Sequence, residues 1–379
     1  MLYAEGMDDQ LPEDWTVLRQ WLPENLEELA KGSGFMRRAR GLQDVEVWLR
    51  LILLHAGGGL SLEQTVMRAR ELGLAKISGV ALHKRLLKAG PWLRQLTGAL
   101  LTKRALPRRA EQDWRRDIVV VDATSVHEPG STGTDWRVHY RVRLSDLECD
   151  YYELTDAHDG ESLGRHDFKP GQIVLADRGY CHRAGAAHVL AKEAELVLRL
   201  HPRAFPLEDG AGGAIDLCRW TKKITSARAQ ERAVWFRQGK SRHQLRLCAI
   251  RKSRTATLRA QKKQREKASR MGRTLEPESV ELAAYVLVLT SLPAPLWPTT
   301  RVLNLYRHRW QVELVFKRLK SLLGLGHLPK TNDQSARAWM QAKILTALLI
   351  ERAMHEARFF SPWGFPLAGE PLGAVPRSA

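Results

Sequence analysis

Apolar positions set the outline of the chain. From residue 12 to about residue 105 they recur every three or four residues, the spacing of helices packed by one face. Ser61 and Gln64 form a capping box after the break at Gly57–Gly59, and "LEQTVMRAREL" continues the helix they start. A turn at Ser78 and Gly79 leads into "VALHKRLLKAG", and Pro91 begins the next helix. Two short helices around a Gly-containing turn, the second bearing His83, Lys84, Arg85 and Lys88, suit a helix-turn-helix reader of DNA. A helical bundle with a solvated basic face fits the same pattern, and both readings stay open.

From Asp117 the period changes. "DIVVVDAT" is a continuous β-branched run, as expected of a strand buried on both faces. "WRVHYRVRLS" and "CDYYELTDA" alternate and predict neighbouring antiparallel strands. "GQIVLADRGY" is a second buried run, "RAGAAHVLAKEA" a helix and "AELVLRL" a strand. Strands followed by a strand–helix–strand unit predict an α/β fold, a mixed sheet covered by helices on both faces. Residues from about 202 to 283 interrupt the rhythm: "PLEDGAGGAID" reads as loop and "AVWFRQGKSRHQLRLCAIR" as a hairpin around Gly239. The stretch 251–273 has ten Lys/Arg against one acid, Glu266, and its Ala, Gln, Lys and Arg content favours a helix. Such a run is either solvated or laid along phosphates. "AAYVLVLTSL" returns to a buried strand, helices follow at 305–320 and 335–358, and the Pro-, Gly- and Ala-rich tail from Ser361 predicts disorder.

Charge narrows the partner. Across 379 residues, 60 Lys+Arg against 42 Asp+Glu give +18, while the hydrophobic fraction of 44% is ordinary. That surplus points to a polyanion, nucleic acid before an anionic membrane. The longest apolar runs, "VWLRLILL" and "KILTALLI", fall short of the roughly 20 residues of a membrane span. "MLYAEGMDDQ" is acidic where a signal peptide would be basic, so a cytoplasmic protein is expected. Cys149, Cys181, Cys218 and Cys248 lie singly, which suits a reducing compartment better than a disulfide framework or zinc site.

Candidate chemistry lies at strand ends. Asp122 closes "IVVV" and Asp177 closes "IVLA". A carboxylate leaving a buried strand is costly unless bonded, paired or metal-bound, and both could face one crevice at the carboxyl ends of neighbouring strands. Each also reads as an N-cap or turn aspartate. In "LYRHRWQVELVFKRLK", taken as one helix, Tyr306, Arg309, Glu313 and Lys320 fall within an arc of roughly 60° and a row about 21 Å long. Leu305, Val312, Val315, Phe316, Leu319 and Leu322 make the adjacent docking stripe. Glu313 is then a third carboxylate in line, or the partner of Arg309 in an ordinary i,i+4 ion pair. Three carboxylates without a Cys or His pair describe an oxygen-only site for Mg²⁺ or Mn²⁺. Two such ions clamp the attacking and leaving oxygens of a phosphoryl displacement, while cations such as Arg309 hold phosphates.

The spacing Tyr306, two residues, Arg309, three residues, Glu313, six residues, Lys320 resembles the Y-(2)-R-(3)-E-(6)-K signature of cut-and-paste transposases, the insertion sequence four family of DDE transposases. "VVVDATSV" and "LADRGY" are similar to that family's two aspartate motifs, and the resemblance covers roughly 35–355. It implies an RNase H-like catalytic core with a β-rich insertion before the Glu helix. Its parts would be an N-terminal helical, DNA-end-binding domain (1–110), core segments at 111–201 and 284–360, an insertion at 202–283 and a tail at 361–379. It implies Asp122, Asp177 and Glu313 as catalytic metal ligands for two Mg²⁺ ions, with Mn²⁺ as a substitute. Tyr306, Arg309 and Lys320 would contact transposon-end DNA, and a homodimer would pair the ends. Relatives cut one strand, form a hairpin with the freed 3′-hydroxyl, open it, and attack target DNA with the same hydroxyl; every step is an in-line displacement at phosphorus. They also flip a base onto insertion-domain aromatics, for which Trp220 and Trp235 qualify by location only, while the β-core reading suits both better. A structure-specific RNase H-like nuclease and a non-catalytic basic DNA-binding protein are the alternatives.

Overall fold

The computed structural model describes residues 14–36, 41–104, 118–131, 133–224, 228–321, 323–329 and 332–357. Asp117, Leu322, the 110/111 boundary and the tail from Ser361 lie outside the described residues. The helical spacing before the first strand yields α1 (Asp14–Trp21), α2 (Leu26–Gly32), α3 (Val45–Ala56), α4 (Leu62–Glu71), α5 (Gly79–Leu86) and α6 (Ala89–Arg104). The first four strands are β1 (Ile118–Val126), β2 (Trp136–Arg143), β3 (Cys149–Asp156) and β4 (Ile173–Ala176). After them come α7 (Arg183–Ala191), β5 (Glu195–Arg199), α8 (Leu217–Lys222) and the hairpin of β6 (Gln230–Gln238) and β7 (Ser241–Arg251). The chain continues through α9 (Arg254–Arg270), α10 (Pro277–Leu282), β8 (Tyr285–Thr290), α11 (Thr299–Arg307), α12 (Trp310–Ser321) and α13 (Asp333–Ala357). None of the described helices is long and apolar enough to cross a membrane.

Two compact units form. The first gathers Met1–Arg108, Val126–Asp135 and Lys317–Ala379, and within it α13 packs on α3 and α6. The expected capping box starts α4: Ser61 Oγ accepts from the Gln64 amide at 3.1 Å and Gln64 Oε1 from the Ser61 amide at 2.9 Å. Arg85 departs from the basic face expected of α5. Its guanidinium donates to the Phe35 carbonyl at 2.6 Å and stands 5.4 and 5.1 Å from the Phe35 and Trp48 rings, an inward structural contact. Lys84 and Lys88 remain exposed.

The second unit, Arg109–Ser125 and Trp136–Phe316, holds the sheet. Its eight strands run in the order β3-β2-β1-β4-β5-β8-β7-β6. Strands β1, β4 and β5 are mutually parallel, whereas β8, β7 and β6 extend the sheet antiparallel beyond β5. The hairpin around Gly239, whose φ is +59°, therefore belongs to the same sheet. Continuous apolar runs become central strands: all four residues of β4 are buried. On one face Val119, Val121, Val174, Leu196, Leu198 and Leu289 join Ala186 and Val189 of α7 in one core. The alternate residues Val120, Leu175, Val197, Cys248 and Val288 are also buried, and α11 packs across β5, β7 and β8.

One expectation is corrected. The single helix over 305–320 is two helices, α11 and α12, meeting at His308 and Arg309. The junction is wound tighter than an α-helix. His308 N donates to Leu305 O at 3.0 Å, Arg309 N to Tyr306 O at 3.1 Å, Gln311 N to His308 O at 3.0 Å and Val312 N to Arg309 O at 3.2 Å. The apolar stripe nevertheless docks, with Leu305, Val312, Val315, Phe316 and Leu319 all buried. Local propensity favours continuing the helix; long-range bonds of Tyr306 and Arg309 hold this turn instead.

Candidate active site

Register brings the two aspartates together. In the parallel pair β1/β4, Val121 sits opposite Ala176, so Asp122 and Asp177 are level on adjacent strands where β4 ends; Asp122 does not close its strand as expected, because β1 runs on to Val126. Asp122 is nearly enclosed, its side chain 17% exposed. Its Oδ1 accepts from the Ala123 amide at 2.8 Å and its Oδ2 from Arg309 Nη1 at 3.2 Å. Burial pushes this carboxyl up to about 7, with Asp177 and Glu161 adding repulsion; the Ala123 amide and Arg309 offset only part of it. Asp177 caps the tight turn Arg178–Tyr180, accepting from the Arg178 amide at 2.6 Å. Its Oδ1 also accepts from the Tyr306 hydroxyl at 3.3 Å. Burial foremost, then the Asp177 charge, raises the Tyr306 phenol to about 12, so it remains a donor.

Arg309 is the hinge of the arrangement. From the α11–α12 junction its Nη1 reaches Asp122 while Nη2 holds Glu313 Oε1 at 2.6 Å. Burial opposes its charge, but Asp177, Tyr306, Glu313 and Asp122 together outweigh that and raise its pKa. Glu313 is 60% exposed and Arg309 only 15%. The i,i+4 pair foreseen as the ordinary explanation of Glu313 is therefore present, and the same guanidinium ties it to the first aspartate. Among the described residues no three acids, histidines or cysteines are gathered as a metal cluster, so Glu313 does not converge on the two aspartates. Lys320 is exposed at the far end of α12, with its stem against Gly326.

Three residues were missed by the sequence reading. Glu161 precedes the short turn Leu163–Arg165 and lies against Gly179, so a Cβ at that position would displace its carboxylate. Burial raises the Glu161 carboxyl, Arg137 counters, and Asp177 raises it further. Arg199 ends β5 beside Asp177, donates to the Tyr285 carbonyl at 3.0 Å, and is drawn down to about 10 by burial. Trp310, 51% exposed, lines with Arg199, Asn304, Tyr306, Arg307 and Arg309 a cavity of about 320 Å³. Nothing in the sequence ties it to a cavity. Trp220 and Trp235 lie elsewhere: Trp220 packs against the sheet core under Arg232 at 6.0 Å, and Trp235 is covered by Arg242 at 5.2 Å.

The donor set fits a hard divalent cation. A buried carboxylate beside a second one, raised to about 7 and balanced by a single guanidinium, is short of positive charge. Asp122 and Asp177 offer oxygens of the kind such an ion takes. Its oxygen-only chemistry matches no zinc or soft-metal site.

A family profile described as the transposase DDE domain matches residues 113–350, more than half of the chain. A protein of Escherichia coli strain K12 assigned as transposase InsL for insertion sequence element IS186A is 31% identical over 358 residues, spanning 92% of this chain and 96% of its own. The transposase for insertion sequence element IS421 of Escherichia coli is 31% identical over 359 residues with the same coverage. The transposase for insertion sequence element IS231C of Bacillus thuringiensis subsp. berliner is 23% identical over 382 residues, covering 90% of this chain and 79% of its own.

Proposed function

The chain belongs to the transposase DDE domain family, and from that premise we propose that it cuts the terminal repeats of a bacterial insertion sequence and joins the freed 3′-hydroxyl ends to target DNA. The observation that carries this is the pairing of Asp122 and Asp177 at one rim of parallel strands, with Arg309 linking Asp122 to Glu313. DNA cleavage and strand transfer with a divalent metal is the activity of the family. The finer reading is that Asp122, Asp177 and Glu313 hold Mg²⁺, two ions in the working complex, with Mn²⁺ as a substitute. When bound, the metal supplies Lewis-acid stabilisation for the charge that builds on the scissile phosphate.

The protein's own groups have separate tasks. Tyr306 donates to Asp177 and fixes the orientation of that carboxylate. Arg309 serves as the cation of the DNA-free site; an incoming phosphate competes with Glu313 for its fork and frees that carboxylate to turn toward the aspartates. Lys320 contacts a phosphate further along the strand. The cavity beside Tyr306 receives a base extruded during hairpin formation, with Trp310 as its stacking face and Arg199 in its lining. That role passes from Trp220 and Trp235, which do not line the cavity. A homodimer pairs two ends, the 1–110 segment contributes end binding, and the work takes place on cytoplasmic DNA.

The test is Glu313→Gln. Excision of a marked element and strand joining from a pre-cut end are both expected to vanish while binding of the terminal-repeat duplex persists. A Glu313→Gln protein that still excises sinks the assignment of the third carboxylate. Cutting without joining by the unaltered protein would instead indicate a nuclease.

A further inference from the structure

The 17 residues of α9 carry seven cations, Arg254, Arg259, Lys262, Lys263, Arg265, Lys267 and Arg270, and one acid, Glu266. No residue of the helix is buried. The side chains that turn partly inward are Thr257, Ala260, Gln261, Gln264 and Ala268, none of them charged. Gln261 anchors this face by donating to the Val280 carbonyl at 3.2 Å, in the segment of α10. Every one of the seven cations is on the exposed side. A helix this polar does not form for the sake of a core. It is held by an uncharged strip so that a positive surface roughly 25 Å long faces outward.

Strand direction fixes where that surface begins. Ala176 pairs with Leu198, so Asp177 and Arg199 stand level at the carboxyl rim; Arg199 pairs with Val288 and Val288 with Cys248. Strand β7 runs on three residues to Arg251 before α9 starts, so the basic helix leaves from the same rim that carries the aspartates. Lys252 marks the connection: it donates to the Ala283 carbonyl at 2.7 Å, and burial, with Arg199 and Arg178 nearby, lowers it to about 8. Between Asp122 on β1 and the end of β7 lie four strand spacings, roughly 19 Å. Along one DNA strand that is about five or six phosphates.

We propose that α9 is a backbone clamp for the transposon-end duplex, gripping its phosphates within about one helical turn of the scissile bond. Seven solvated cations and the shared rim match the phosphates of a polyanion that lies across the aspartates. The inference rests on the transposase reading and goes beyond it by assigning a surface that contacts neither metal nor scissile phosphate.

The test uses the full chain and a triple variant, Arg259→Gln, Lys262→Gln and Lys263→Gln, whose glutamines keep helix propensity at exposed positions. Binding to a duplex carrying the element's terminal repeat is measured in EDTA across a salt series, with hydroxyl-radical footprinting. The triple variant should bind roughly 10- to 100-fold more weakly at moderate salt, with the salt slope flatter by about two to three. Protection should disappear five to ten nucleotides from the cut and persist at the cut itself. If the unaltered protein binds and cuts the end and the variant matches it in slope and footprint, the clamp is refuted while the transposase reading stands. If end protection is unchanged but joining to a target plasmid falls, the helix meets target DNA and the assignment to the end duplex is overturned. If the unaltered protein neither protects nor cuts the end, the transposase reading fails and the clamp falls with it.

Discussion

Arg309 and Lys263 each carry one positive charge in the same unit, yet they do opposite things. Arg309 is nearly enclosed, and its fork is shared between Asp122 and Glu313. Lys263 stands on a helix with no buried residue, among six other cations. A net charge of +18 counts both alike. The comparison teaches that basicity has two meanings here. Enclosed cations fix carboxylates through short, directional bonds, whereas solvated ones act as a field whose strength salt controls.

The sharpest break in that contrast comes at the carboxylate that Arg309 holds. Asp122→Asn should cut strand cleavage by at least about 10³-fold, since the residues of a catalytic centre act as a unit. It should also make the metal-free protein more stable. The Asp122 carboxyl, raised to about 7, keeps its proton in the folded chain between roughly pH 4 and 7, where the unfolded chain has lost it. The folded state binds the additional proton, so metal-free stability rises as pH falls from 8 to 5. Urea unfolding in EDTA should show that slope in the unaltered protein. The asparagine variant should lose it and gain on the order of 2 kcal/mol at pH 8. A pH-independent unaltered protein would refute the burial argument.

Next in size is Arg309→Lys. Charge is kept but the two-pronged geometry is lost, so strand cleavage should fall roughly 10²-fold. Recovery of near-normal cleavage would place Arg309 with the solvated cations. Lys320→Ala should act as members of α9 do: weaker binding to any duplex sequence and a salt slope smaller by about one. An unchanged slope would assign Lys320 a structural role. The smallest effect belongs to Glu266→Gln. Its contact with Lys262 Nζ is 4.0 Å and exposed, so thermal unfolding should move by less than about 0.5 kcal/mol while DNA affinity increases slightly.

The two kinds of charge differed in how far the sequence revealed them. Helix α9 was legible because Ala, Gln, Lys and Arg in one run dictate both its helicity and its exposure. Asp122 and Asp177 were legible for a related reason: four apolar residues before each force a buried strand, which places Asp177 at the end of β4, although β1 carries on past Asp122 to Val126. The bonds of Arg309 were half visible, since the i,i+4 partner is local and Asp122 is 187 positions away. The break at His308–Arg309 was invisible, because no Gly or Pro marks it and long-range bonds hold it. Glu161 gave no signal at all; it is a lone acid in a loop until the fold sets it against Gly179. Arg85 misled for the same reason, its aromatic partners Phe35 and Trp48 lying far back in the chain.

The alignment of Val121 with Ala176 has one more consequence. Side chains alternate along a strand, so a slip of one residue between β1 and β4 would send Asp122 to the opposite side of the sheet and leave Asp177 alone. A single carboxylate is a poor metal ligand set. On the proposed assignment, a chain that folds out of register would be inert rather than an indiscriminate cutter of DNA. The dangerous chemistry is licensed only by the correctly assembled sheet, which makes the fold its own safety interlock.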